Sequence, residues 1–473
     1  MRCMDFSLVL ELRRELEGTR AEISHPGSET YHGDIKTWSD TCEKEAGAIV
    51  NVTSSEEVSK TINFARKHHV EFVVKAAGHS TSNESATTGG IVISLGRMRK
   101  VLVDPASKTV AVQGGATWED VNKATAEYGV AVVGATASQT GVAGATLGGG
   151  FGWLTGEYGL IVDNLVKVRV VLADGSILDA SEESYTDLFW ALRGAGQAFG
   201  VVTELVFQAY DVPEKVFGGI LYYTPDKMAK IVEFANWFNN QQDERSGFFF
   251  GFGAPSPVEQ TMVMALLFYN GSMEKATSFF GPLLSLQSVL GKVDMMSYAK
   301  MNRLANIEPS AEGRKWIGGT EISFPLGKKL AQQVWLEFNE LMLLSPSMGN
   351  SVLAFELLPY GKVTSVPIDA TACANRSSSY NAGLLLCWCD AGDDAVLGQK
   401  ARGLLRRIRR LQGREESDEH VRSYANYAGH NYSPNYLFGP NLPRLQELKK
   451  RYDPHNAFHK WHNLVPQTHD PHR

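Results

Sequence analysis

The chain has 473 residues, of which 43% are hydrophobic and 21% charged, and its formal net charge is −6. That is the composition of a globular protein with one to three domains and a large core. The slight negative charge gives no reason to expect nucleic acid or a membrane surface as partner, and no apolar run approaches the ~20 residues that cross a bilayer.

The opening residues Met1 to Phe6 run straight into Glu11-Leu12-Arg13-Arg14-Glu15, without the apolar core of a signal peptide, so an intracellular location is expected. Five cysteines, an odd count, suggest no disulfide framework and suit a reducing compartment. From Ala48 the pattern reads strand, helix, strand. Ala48–Val52 is a β-branched run, and Ser54 and Glu57 have the spacing of a capping box before Val58, Ile62 and Ala65. Val70–Val74 is the next strand, followed by strands at Gly90–Leu95 and Thr109–Gln113 and a helix over Trp118–Tyr128. A second αβ block carries a strand at Val168–Leu172, a tight turn at Ala173-Asp174-Gly175-Ser176, a short helix over Asp187–Gly196 and a strand from Phe199.

After Val212-Pro213 long amphipathic segments at Lys227–Asn239, Lys328–Leu344 and Asp394–Leu411 alternate with apolar strands such as Met262–Tyr269 and Gly383–Trp388. This predicts helices packed on an antiparallel sheet, inserted as a second domain. The fold class is therefore α+β, with a first domain over residues 1–211, a substrate domain over 212–418 and a C-terminal segment, 419–473, that returns to the first domain. Cys387-Trp388-Cys389 is expected on a strand with both thiols on one face; no second Cys or His pair accompanies it, so no metal site is expected. The arginines between Arg402 and Arg410, followed by Glu415-Glu416, predict a solvated helix face.

Two glycine-containing turns carry the chemistry. Val74-Lys75-Ala76-Ala77-Gly78-His79-Ser80 is followed about seventy residues later by Thr146-Leu147-Gly148-Gly149-Gly150-Phe151-Gly152. Small residues at a turn let backbone N–H groups approach a phosphate. With no Walker-type lysine motif present, two such turns suggest two loops gripping one extended anionic cofactor. A lone histidine after a glycine is ordinarily just a turn residue, and three glycines ordinarily a loop; the segments around them decide otherwise.

Those segments resemble the FAD-binding (PCMH-type) domain of the vanillyl-alcohol-oxidase superfamily. Gly159-Leu160-Ile161-Val162-Asp163-Asn164-Leu165, Asp187–Gly194 (D-L-F-W-A-L-R-G) and Phe199-Gly200-Val201-Val202-Thr203 are similar to its blocks. Tyr424-x-Asn426-Tyr427 with Tyr452-Asp453-Pro454-x-Asn456-x-Phe458 is similar to the C-terminal segment of berberine-bridge-enzyme-like oxidases. The resemblance implies FAD bound by Lys75, Ala76, Ala77, Gly78, Ser80, Thr140, Gly141, Gly144, Thr146, Gly148, Gly149, Gly150, Gly200, Val201, Val202 and Asn426, with His79 joined covalently to the flavin. Many relatives add a cysteinyl link; Ala137 stands at about that position here, so a single link is expected. Thr140 falls near a position that gates oxygen, and Tyr424 and Asn426 are expected to shape a C-terminal strand and its flavin contacts.

No acidic residue occurs between Arg376 and Cys389, so the strand on which relatives often carry a carboxylate base has none. The resemblance leaves Tyr427 as the candidate base, competing with a reading in which its hydroxyl merely bonds the backbone. A tyrosine near pKa ~10 must be perturbed by a cation or hydrogen bonds to act near neutrality. No cation adjoins it, although His430 follows. Phe248-Phe249-Phe250-Gly251-Phe252 and Met262–Tyr269 are expected to put alternate side chains into an aromatic substrate pocket and the rest into the core. The expected activity is oxidation of a small aromatic, polyketide-type or alkaloid-type molecule by hydride transfer to flavin N5, with O2 giving hydrogen peroxide. A dehydrogenase using another acceptor, and a non-redox cyclase or isomerase with structural FAD, are the alternatives.

Overall fold

In the computed structural model of the protein, which describes residues 2–255, 258, 260–307, 313–414, 423–428 and 432–465, four short strands form a first sheet. β1 (Glu22–Ser24), β2 (Ala48–Asn51), β3 (Phe72–Lys75) and β4 (Ile91–Ser94) lie in the order β1-β2-β4-β3. β2, β4 and β3 are parallel, and parallel strands need a crossover. The helix Ser55–Lys67 supplies it, burying Val58, Ile62 and Ala65. Its expected capping box is divided between two residues. The Ser54 hydroxyl accepts from the Glu57 N–H at 3.3 Å, but the Glu57 carboxylate takes the N–H groups of Thr53 (2.5 Å) and Arg20 (2.9 Å).

The second sheet contains β5 (Val101–Asp104), β6 (Thr109–Gln113), β8 (Leu165–Val171), β9 (Ile177–Ser181) and β10 (Val201–Gln208), all antiparallel in the order β5-β6-β10-β8-β9. A small ribbon pairs β7 (Val130–Ala131) with β11 (Tyr210–Asp211). β8 and β9 join through the expected tight turn, where Gly175 has φ +83°.

The third sheet is the largest. β12 (Val216–Tyr223), β13 (Ser246–Gly253), β14 (Met262–Tyr269), β15 (Leu290–Met296), β16 (Arg314–Ile322), β17 (Val352–Leu357) and β18 (Tyr380–Trp388) pair antiparallel in the order β15-β12-β14-β13-β17-β18-β16. Helices Met228–Gln241, Lys328–Met342 and Asp394–Leu411 cover one face. Strand alternation then divides the aromatic runs as expected: Phe248, Phe250 and Phe252 enter the core beneath the helices, while Phe249 points to the other face.

Three local expectations are corrected. Cys389 lies beyond the end of β18 and is exposed while Cys387 is buried, so the two thiols do not share a face. On Asp394–Leu411, Arg406, Arg407 and Arg410 are exposed, but Arg409 is buried and faces the Glu321 carboxylate at 3.8 Å. The Tyr424–Tyr427 segment, expected to shape a strand, forms the helical turn Ala425–Ala428 instead. His430 and Glu415-Glu416 lie outside the described residues.

Candidate active site

A cavity of about 490 Å³ is bounded by the turn after β3, the loop Ala135–Gly141, the uncovered face of the large sheet and the C-terminal segment. From the sequence-predicted set, Ala76, Ala77, Gly78, His79, Ser80, Thr140, Gly141, Gly144, Asn426 and Tyr427 line it together. The sheet contributes Ile220, Tyr222, Phe249, Met264, Leu266 and Glu356. Met264 and Leu266 alternate with Val263, Ala265 and Leu267, which are core residues.

β3 delivers the chain into the Gly78 turn, where φ is +71°, a conformation glycine adopts without strain. The backbone N–H groups of Ala77, Gly78, His79 and Ser80 have no acceptor among the described residues. The His79 ring stacks on Trp38 with centroids 3.9 Å apart, and its Nε2 is buried without a hydrogen-bond partner among the described residues. Burial, assisted by the nearby Lys315 charge, lowers its pKa from 6.5 to about 4, so the ring is neutral at physiological pH. A neutral imidazole and a row of unspent N–H groups on a wall of small side chains fit an extended anionic dinucleotide. Ala137 lines the same cavity, and no cysteine does.

The remaining predicted cofactor residues lie outside this lining, each for a packing reason. The Lys75 amine donates to the carbonyls of Asp34 and Lys36. The Thr146 hydroxyl turns back to Val142 O at 2.8 Å. Gly148, Gly149 and Gly150 are small because protein presses on them. A Cβ there would lie 2.1 Å from Asn426 Oδ1, 2.8 Å from Cys373 Sγ and 2.5 Å from Ile161 Cδ1, respectively. Gly200 packs on the Val170 side chain in the same way, and Val201 and Val202 are buried in β10. Gly148 thus seats the C-terminal segment, while Gly149 and Gly150 pack on Cys373 and Ile161, and none of the three lines the cavity. Asn426 completes that contact by donating to Ala145 O at 2.9 Å and to the Tyr424 hydroxyl at 2.7 Å.

In the same cavity, the Tyr427 hydroxyl donates to Glu356 Oε1 at 3.0 Å. Among the described residues Glu356 Oε2 is buried with no partner. Burial raises the Glu356 pKa from 4.5 to about 8, with the Tyr427 hydrogen bond acting in the opposite sense. Tyr427 is pushed well above 10, first by burial and then by the Glu356 charge. The perturbation expected for an autonomous tyrosine base is therefore reversed: its neighbour is a carboxylate, and Glu356 ionises before the phenol.

Glu356 is a cavity residue that the sequence pattern did not single out. The strand expected to carry a carboxylate was β18, and this one stands on its neighbour β17. A signal was present, since Val352-Leu353-Ala354-Phe355-Glu356-Leu357 is an apolar strand run with one acid in it. Alternation puts Val352, Ala354 and Glu356 on one face, and all three line the cavity. Among the described residues no cluster of His, Cys, Asp and Glu is arranged to hold a metal ion.

Two family models match the chain: "FAD binding domain" over residues 46–181 and "Berberine and berberine like" over residues 423–464. The FAD-linked oxidoreductase pgmH of Aspergillus terreus is 33% identical over 97% of this chain and 96% of its own length. The FAD-linked oxidoreductase hasG of Aspergillus fumigatus is 31% identical over 90% of this chain and 93% of its own. Among solved structures, 6-hydroxy-D-nicotine oxidase from Arthrobacter nicotinovorans has a TM-score of 0.80 at 23% identity, covering 95% of this chain and 98% of that one. A glucooligosaccharide oxidase from Acremonium strictum gives 0.81 at 21%, covering 96% and 98%. With relatives this similar along nearly its whole length, and with both family models in place, the chain belongs to the berberine-bridge-enzyme-like FAD-linked oxidoreductases of the PCMH-type FAD-binding superfamily.

Proposed function

We propose that the protein oxidises a hydroxylated, uncharged aromatic molecule of polyketide or alkaloid type, with FAD held by one bond to His79 and dioxygen as electron acceptor. The observation that carries this reading is the hydrogen bond from half-buried Tyr427 to buried Glu356 in the cavity that the His79 turn also lines. FAD held by the His79 turn and the Ala135–Gly141 loop would supply the hydride acceptor, N5, and the route by which the electrons reach dioxygen as hydrogen peroxide. The residues of this chain supply the proton path. The Tyr427 oxygen takes the substrate hydroxyl proton while its own proton moves to the Glu356 carboxylate, so the pair acts as one base and no free phenolate forms. Ile220, Phe249, Met264 and Leu266 offer an apolar face to a planar ring and keep water from the reacting carbon.

A single link is supported by Ala137 and by the absence of cysteine from the lining, in contrast to the 6-S-cysteinyl, 8α-N1-histidyl FAD of the Acremonium enzyme. Two absences favour the cyclase or isomerase alternative, a carboxylate on β18 and a second, cysteinyl link; Glu356 on β17 offers a carboxylate, and the cysteine is still lacking. The test is anaerobic mixing of the purified protein with a panel of phenolic and benzylic alcohols and hydroxylated polyketides. Bleaching of the flavin absorbance, restored by air with one hydrogen peroxide per bleached flavin, is expected. Bleaching that air does not reverse indicates a dehydrogenase. Turnover without bleaching indicates a cyclase or isomerase.

A further inference from the structure

The His79 turn is braced from outside its own domain. β16, the edge strand of the large sheet, runs alongside residues 38–41 and Thr81 and is stitched to both. Lys315 N–H donates to the Ser39 hydroxyl at 2.8 Å, and that hydroxyl donates to Lys315 O at 2.9 Å. Asp40 N–H reaches Gly313 O at 3.2 Å, and Gly313 N–H reaches the Asp40 carboxylate at 3.2 Å. Ile317 N–H donates to the Thr81 hydroxyl at 2.9 Å, two residues past His79.

Within this brace Lys315 is only 2% exposed. Its amine donates to Trp38 O at 2.7 Å and lies 5.2 Å from the centroid of the Trp38 ring. Trp38 is tied to the turn itself, its backbone N–H donating to Gly78 O at 2.9 Å, and its indole lies nearly parallel to the imidazole of His79, at 15°. Lys315, Trp38 and His79 therefore form one stack that runs from a strand of the substrate domain to the cavity wall.

We propose that Trp38 and Lys315 are positioning residues for covalent attachment of FAD: they hold the His79 ring in one orientation at the cavity wall, and β16 must be docked for the bond to form. The inference rests on the His79-linked FAD of the proposed function. Attachment breaks one C–H bond of the flavin 8α-methyl group and the N–H bond of the ring, and forms an N–C bond. Two electrons and two protons leave, and dioxygen accepts them as hydrogen peroxide. A ring that is neutral and fixed presents a lone pair to that carbon without first losing a proton or a rotamer. Burial and the Lys315 charge both favour the neutral form. A cation held over an aromatic face stiffens the stacked pair.

The experiment is refolding or expression of apoprotein, addition of FAD in air, and measurement of attachment over time by intact mass and by flavin fluorescence in an acid denaturing gel. Wild type, His79→Ala, Lys315→Met, Trp38→Leu and Trp38→Phe are compared, and total bound flavin is read from absorbance before denaturation. Wild type is expected to gain the mass of FAD less two hydrogens, and His79→Ala to bind flavin without a bond. Lys315→Met and Trp38→Leu are expected to bind flavin normally but attach it about tenfold more slowly, the rate equivalent of one stacking or cation–π contact. Trp38→Phe is expected to restore the rate, because stacking survives. Attachment at the wild-type rate in both Lys315→Met and Trp38→Leu overturns the positioning role while leaving the His79 link standing. If Lys315→Met does not fold, equal rates in the two Trp38 variants overturn it. Wild-type protein that holds flavin with no mass gain overturns the link itself, and the positioning role with it.

Discussion

The Tyr427 hydroxyl donates to the buried Glu356 carboxyl across 3.0 Å, and that contact makes the residue scale testable by pH. Burial raises the Glu356 carboxyl from 4.5 to about 8. Below pH ~4.5 it is protonated in both folded and unfolded chains and the shift has no effect on stability. Between pH ~4.5 and ~8 the unfolded chain ionises it first, so the native state is expected to lose stability as pH rises, by about 5 kcal/mol in all. Glu356→Gln keeps an acceptor for Tyr427 and cannot ionise. Its urea midpoint should therefore gain on the wild type between pH 5 and pH 8; parallel midpoints would show that Glu356 is already ionised in the folded protein. In catalysis the sign is opposite, because the base form is needed. kcat/KM is expected to climb towards pH ~8, and Glu356→Gln to lose that limb together with ~10²–10⁴-fold of rate. Steady-state pH profiles of the two proteins check both points.

At the scale of elements, the cavity loop owes its position to backbone meeting backbone. The segment Gly134–Ala137 crosses the end of the glycine cluster, and a Cβ at Gly152 would lie 1.6 Å from Gly134 O. No rotamer relieves a contact between two backbones. Gly152→Ala is thus expected to displace the Ala135–Ala137 wall, costing about 2–4 kcal/mol and loosening the flavin together with it; thermal melting and flavin retention on dialysis measure the two effects. A variant with wild-type values in both would show that the crossing is compliant. Helices such as Lys328–Met342 and the alternation of Phe249 with Phe248 and Phe250 were legible because their periods are written in neighbouring residues. The Ala425–Ala428 turn was not, because four residues carry too little period and the docking of Asn426 against Gly148 shapes them.

Across the whole molecule, the segment that leads into β18 is fastened to the FAD-binding domain by buried polar contacts as well as by apolar packing. Arg376 clamps Asp163 with bonds of 3.0 and 2.5 Å, the two side chains being 1% and 10% exposed. Removing one member leaves the other charged and buried. Arg376→Met is expected to destabilise the protein by about 3–5 kcal/mol, and a second change, Asp163→Asn, to recover part of the loss by discharging the orphaned carboxylate. Denaturant unfolding of the single and double variants decides the matter; an unshifted single variant would mean that water reaches the pair.

The amino-acid sequence by itself determined the local elements, the G-H-S turn with His79, the missing cysteine at Ala137 and the family to which these segments belong. All of these are properties of residues close together in the chain. Tertiary structure alone decided which groups act on one another. Glu356 meets Tyr427 across 71 residues of chain, Lys315 reaches Trp38 across 277, and Gly148 faces Asn426 because the C-terminal segment returns to it. Proton affinity follows from burial and from the charge of the nearest neighbour, and neither is set until distant strands have been brought side by side.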